Sequence, residues 1–153
     1  MSDAAQVGLT IRPAEASDAP ALASLMGELG YDTRTAEMEM RLEFILGDSR
    51  YRTFVAVTDG KIGGMIGTFC HHSYEHNDPS GRILALVVSK TMRQRGVGRQ
   101  LVSVAENDFA QRNVRRIAVY TRLTRKEAHR FYEDIGYERN GFRFVKDLAV
   151  NAD

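Results

Sequence analysis

Apolar and polar positions along this chain follow two periods, and the switches between them mark its elements. LTIRPA, Leu9 to Ala14, alternates at period two and stops at Pro13, which predicts a short strand. SDAPALASLMGELG then sets Leu22, Leu25, Met26 and Leu29 at helical spacing, with Ser17 or Asp18 as cap, Pro20 in the first turn and Gly30 as the stop. A second stripe, Met38, Leu42, Ile45 and Leu46, predicts another helix ended by Gly47. YRTFVAVTDGKIGGMIGTFCHH carries two β-rich runs around Asp59-Gly60, a dipeptide suited to a tight turn, and reads as a hairpin.

The next run, RILALVVS from Arg82 to Ser89, is almost continuously apolar and reads as a central strand covered on both faces. Past a basic, glycine-containing loop, Val97, Leu101, Ala105 and Phe109 form one stripe of a helix of about four turns, followed by a strand in RRIAVYT. The remainder predicts a short helix with Ala128, Phe131 and Ile135 inward, a stop at Gly136 and a closing hairpin around Asn140-Gly141, GFRFVKDL being its alternating last strand. The expected fold class is α/β: a mixed sheet with helices on both faces, in the order β-α-α-β-β-β-α-β-α-β-β.

With 153 residues, no repeat and no long linker, one domain over residues 8–150 is expected. Charge nearly cancels, 21 Lys plus Arg against 20 Asp plus Glu, so no global field favours nucleic acid or an anionic membrane. Any anion site must be local. Cys70 is the only cysteine, which excludes an internal disulfide and suits a reducing, cytoplasmic setting; its apolar neighbourhood reads as that of a buried small hydrophobe. The start, MSDAAQVGL, lacks a basic flank and a long apolar run, so neither a targeting signal nor a membrane span is expected.

The loop MRQRGVGRQL is where local anion chemistry concentrates. A helix's first turn presents unpaired N–H groups and the positive end of its dipole. Gly96 and Gly98 permit close approach, and Arg93, Arg95 and Arg99 can grip a phosphate through two hydrogen bonds. A glycine turn with solvated arginines is the competing explanation. Gly98-Arg99-Gln100 lacks the hydroxyl that a Walker loop uses for magnesium, and RRIAVYTRL lacks the acidic residue of a dinucleotide fingerprint.

Arg93-Gln94-Arg95-Gly96-Val97-Gly98 after the apolar strand resembles the acyl-CoA loop of the GCN5-related N-acetyltransferases (GNAT), and AHRFYEDIGY, Ala128 to Tyr137, resembles that family's second signature. The resemblance spans nearly the whole chain and implies acetyl-CoA as cosubstrate. It implies that Arg93, Gln94, Arg95, Gly96, Val97, Gly98 and Arg99 hold the diphosphate. The backbone of Leu86, Val87 and Val88 would pair with the pantetheine arm. Tyr132 would protonate the departing thiolate, against the simpler reading of a helix aromatic in the core. Two positions depart from the family pattern: Arg125 stands where an asparagine often contacts the cofactor, and Leu84 where many members place a glutamate base.

The base must then be sought elsewhere, because the attacking amine is protonated at neutral pH. HHSYEHNDPSG, His71 to Gly81, offers His72, His76 and Glu75, the last acting through water, against the plainer reading of a polar connecting loop. His72 and His76 are four apart, a ligand spacing that serves a metal only on a helix; a loop or strand is expected here, so no metal is assigned. The function implied is N-acetylation of a primary amine on a small molecule by direct attack. Its rivals are a catalytically silent acyl-CoA-binding or regulatory module, an N-acetyltransferase of proteins or peptides, and nucleic-acid binding through Arg93 to Arg99. In many relatives the last hairpin contributes to the acceptor site or to a homodimer contact.

Overall fold

The computed structural model describes residues 8–149. The N-terminal stretch read for targeting signals, apart from Gly8 and Leu9, lies outside them, as does residue 150 at the end of the expected domain. The chain divides into two compact units, one ending at Val119 and the other beginning at Tyr120.

The first unit is a five-stranded sheet in the order β1-β2-β3-β4-β5. β1 (Leu9–Pro13), β2 (Tyr51–Thr58), β3 (Lys61–His71) and β4 (Ser80–Val88) run antiparallel to their neighbours, and β5 (Ile117–Val119) joins β4 in parallel. Asp59 and Gly60 both take positive φ, 51° and 76°, so the β2–β3 turn forms at the dipeptide that predicts it. The middle strand is β3, and β4 stands one place nearer the edge than the apolar run RILALVVS suggests.

Helices cover both faces. α1 (Ala19–Leu29) and α2 (Thr35–Leu46) pack Leu22, Leu25, Met38 and Leu42 on Val55, Met65 and Val87. Asp18 precedes α1, but its carboxylate does not cap the helix: it accepts two hydrogen bonds from Arg12 at 2.8 and 2.9 Å and one from the Glu15 amide. Those contacts, the Arg12 pair foremost, hold its pKa below the ordinary carboxylate value. α3 (Val97–Gln111) lies on the opposite face and buries Val97, Leu101, Ala105 and Phe109, the predicted stripe. It comes so close that a Cβ on Gly64 would meet Leu101 at 3.1 Å, and one on Gly81 would meet the Phe109 ring at 2.7 Å.

The second unit contains α4 (Lys126–Asp134), in which Tyr132 is buried while Ala128 and Phe131, and Ile135 at its C-cap, are only partly so. The predicted closing hairpin does not form: residues 137–149 contain neither strand nor helix, and Phe142, Phe144, Val145 and Leu148 are all exposed. Alternation supplies a face for a strand, but only a ladder partner turns it into one, and among the described residues this segment has none.

Candidate active site: a bulged strand, an anion loop and a buried phenol

β4 carries the local irregularity that matters most. Its register against β3 slips by one residue: Gly67 pairs with Ala85, yet the next residue, Thr68, pairs with Ile83, which leaves Leu84 unmatched. Leu84 is therefore the extra residue of a β-bulge, a device that re-aims side chains and interrupts the ladder. The consequence for the apolar run is visible, because Leu84 is 48% exposed where a covered central strand would bury it. β5 pairs with β4 only from Gly81 to Ile83. From Leu84 to Val88, β4 thus has a strand partner on one side only, β3, among the described residues. That places Leu86, Val87 and Val88 on backbone able to accept an extended ligand as a further strand.

Val88 leads directly into the basic loop. The Arg93 guanidinium donates from Nε to the Val88 carbonyl at 3.0 Å, tying the loop to the strand end, and the Lys90 amide donates to Glu28 of α1 at 3.0 Å. Gln94 and Gly96 both adopt left-handed backbone, φ 63° and 77°, and Gly96 is the N-cap of α3. The first helical hydrogen bond runs from Gln100 to the Gly96 carbonyl, so the N–H groups of Val97, Gly98 and Arg99 stand ahead of it at the positive end of the helix dipole. Arg93, Arg95 and Arg99 are exposed around this turn. Backbone donors and the helix dipole at the start of α3 thus lie within a loop that carries three exposed arginines.

On the face of the sheet covered by α1 and α2 lies a cavity of about 240 Å³. Leu22, Met26, Met38 and Leu42 line it from the helices, and Thr53, Met65, Leu84 and Ala85 from the sheet. The bulge is what brings both Leu84 and Ala85 to this face. Nothing in the pattern of hydrophobic residues announces the cavity or Thr53; the only signal is that Thr53 alternates in phase with the buried Val55 of the same strand.

The connecting loop between β3 and β4 holds His72, Glu75 and His76, all exposed, with Ser73 Oγ accepting from the Glu75 and His76 amides. It meets β4 at Ser80, the opposite end from the anion loop, roughly 13 Å of strand from Leu84 at the usual rise per residue. Among the described residues no three His, Cys, Asp or Glu side chains are grouped to hold a metal ion. Cys70, expected as a buried small hydrophobe, is partly exposed.

In the second unit, Tyr132 packs edge-on against Phe131 and Tyr137, with ring centroids 5.2 and 5.6 Å away. Burial raises its pKa to about 12, with the Arg125 charge pulling the other way. The phenol therefore keeps its proton across the physiological range. Arg125, in the place where the asparagine was expected, is exposed and is the N-cap of α4, without a side-chain capping bond.

Residues 19–137 match the sequence profile described as the Acetyltransferase (GNAT) family. Over 94 residues the chain is 35% identical to an aminoalkylphosphonate N-acetyltransferase of Salmonella typhimurium, a match covering 61% of each protein. The chain thus aligns with less than two thirds of that relative. A crystal structure of a GNAT family acetyltransferase from Staphylococcus aureus superposes with a TM-score of 0.79 at 26% identity, over 92% of this chain and 99% of that one. An aminoglycoside acetyltransferase from an uncultured soil sample shares the fold, with a TM-score of 0.81 at 19% identity over 94% and 98% of the two chains.

Proposed function

The chain belongs to the GNAT acetyltransferase family, and from that premise we propose that it transfers an acetyl group from acetyl-CoA to a primary amine of a small molecule, by direct attack within a ternary complex. The observation that carries this reading is β4, bulged at Leu84, partnered on one side beyond Ile83, and running into a loop whose backbone opens at the start of α3. The similarity to an aminoalkylphosphonate N-acetyltransferase favours a small-molecule acceptor over a protein one.

Acetyl-CoA, when bound, supplies the activated thioester carbonyl that the amine attacks. The N–H groups of Val97, Gly98 and Arg99, with the side chains of Arg93, Gln94, Arg95 and Arg99, hold the diphosphate; Arg125 is assigned to a further phosphate of the cofactor. The backbone of Leu86 to Val88 holds the pantetheine arm, and strand N–H groups next to the bulge stabilise negative charge on the carbonyl oxygen. Tyr132 gives its proton to the departing thiolate, a role supported by its place in AHRFYEDIGY and by a phenol that stays protonated. Glu75 receives the amine's proton through water. Residues 8–150 act as one catalytic domain, in a reducing, cytoplasmic setting that suits a lone thiol.

Thiol release from acetyl-CoA in the presence of a panel of primary amines tests this. Release that depends on an amine, with a matching acetylated product, is the expected result. Release at the same rate with and without any amine would overturn the reading.

A further inference from the structure

We infer that the acceptor is a primary amine whose body is apolar and carries no second positive charge, bound in the cavity between α1, α2 and the sheet; this rests on the acetyl-transfer reading above. The lining argues for it by what it contains. Met26, Met38 and Met65 give three flexible thioethers, and Leu22, Leu42 and Leu84 complete an apolar wall. Methionine adapts to irregular apolar shapes and offers a second ammonium nothing to pair with. Among the described residues no carboxylate lines the cavity. A second cation buried there would lose its hydration with no acid to neutralise it.

The charged residues on its lining, Arg41 and Arg52, are both cationic, and the Arg52 side chain turns to the α3 face. The Arg52 guanidinium donates to the carbonyls of Ser49 and Tyr51 and stands 3.7 Å from Asp108. Arg41, exposed on α2, makes one long hydrogen bond, 3.3 Å, to Thr33. Its charge, in the field of Glu37, repels a distal ammonium at a face whose lining holds no acid among the described residues. Besides the arginines, the polar residues on its lining are Tyr51, Thr53 and Thr68; Thr53 is 8% exposed, and the Thr68 hydroxyl donates to the Arg52 carbonyl at 3.4 Å. A hydroxyl in an apolar cavity can orient one amine. At about 240 Å³, just below the roughly 300 Å³ where ligand pockets usually start, the space suits a small acceptor rather than a sugar-based polyamine. The aminoglycoside acetyltransferase with the same fold therefore does not indicate this chain's acceptor.

Hexylamine and 1,6-diaminohexane form a matched pair, equal in length and different only in the distal charge. The inference expects kcat/KM at least tenfold higher for hexylamine, and expects Arg41→Glu, a change on an exposed helix position, to shrink that ratio below threefold. Equal rates, or a preference for the diamine, would overturn it. So would turnover with neither compound alongside turnover of a hydrophilic amine, a result that leaves acetyl transfer itself standing. Absence of turnover with every amine tested sinks the acetyl-transfer reading instead, and the cavity is then judged by binding. Amide shifts of Met38, Thr53 and Met65 that respond to hexylamine and not to the diamine support the class, and shifts that respond to both alike or to neither overturn it.

Discussion

The two faces of the sheet are built from similar residue types and do opposite things. On one face, α3 presses Leu101 and Phe109 onto positions where the strands carry Gly64 and Gly81, and the fit leaves no room even for a methyl group at Gly81. On the other, α1 and α2 span strands whose side chains have been shortened or redirected, at Gly67, Thr53 and the Leu84 bulge, and a cavity results. Glycine thus closes one face by permitting approach and opens the other by withholding a side chain. The tight face fixes the N-terminus of α3 beside the end of β4; the loose face leaves space for a substrate.

Paired truncations test the contrast most severely. Phe109→Ala removes a ring that is 1% exposed from the tight face and should cost about 3–5 kcal/mol in urea unfolding. Met38→Ala borders space that already exists and should cost about 2 kcal/mol, the low end for a buried methionine. Equal costs would mean that the faces do not differ in packing. The second largest effect belongs to catalysis: Tyr132→Phe should lower kcat about 100-fold with the KM for acetyl-CoA unchanged. The same variant has a pH signature. Because the folded phenol titrates near 12, above its ordinary value of 10.0, its contribution is intact below pH 10 and is lost as pH rises toward 12. The Phe variant should lack that alkaline loss of stability, and a wild-type profile with the same flat alkaline limb would remove the buried-phenol argument.

A tenfold rise in the KM for acetyl-CoA is expected for Gly96→Val. At φ 77° a branched side chain is strained by roughly 1–2 kcal/mol, which would pull the α3 N–H groups out of line. Unchanged binding would show that the loop holds nothing. The expectation was available in advance because the loop's chemistry is local: Arg93 to Gly98 needs only a strand before it and a helix after it, and both are written in the periodicity. The stripe Val97, Leu101, Ala105 and Phe109 was legible for the same reason.

What could not be read was whatever depends on pairing. RILALVVS carries no mark of the one-residue slip at Leu84, since a bulge is a relation between two strands and the run looks equally apolar with or without it. That slip is why the strand is exposed at Leu84 and why the usual glutamate position faces the cavity as leucine. GFRFVKDL failed in the other direction: its alternation is complete, yet a strand requires a neighbour, and Phe142 and Phe144 remain in solvent. Cys70 was misjudged as buried because sequence neighbourhood stands in poorly for the local depth of a sheet.

The smallest expected effect comes from that cysteine, and it follows from the comparison of faces. Directly paired residues of antiparallel strands point to the same side, and Cys70 pairs with Gly81, whose missing Cβ would point at Phe109 of α3. The thiol therefore stands on the tight face, with the sheet between it and the cavity. An acyl-enzyme route would require Cys70 to take the acetyl group and pass it to an amine on the other side, which the strands obstruct. Cys70→Ala should leave kcat and both KM values within about twofold, since a part-buried thiol contributes little packing beyond that of alanine. Initial-rate patterns in the wild type should intersect, as sequential binding requires. Parallel patterns, together with loss of turnover in a folded Cys70→Ala variant, would mean that the chemistry runs on the tight face and that the cavity opposite has another purpose.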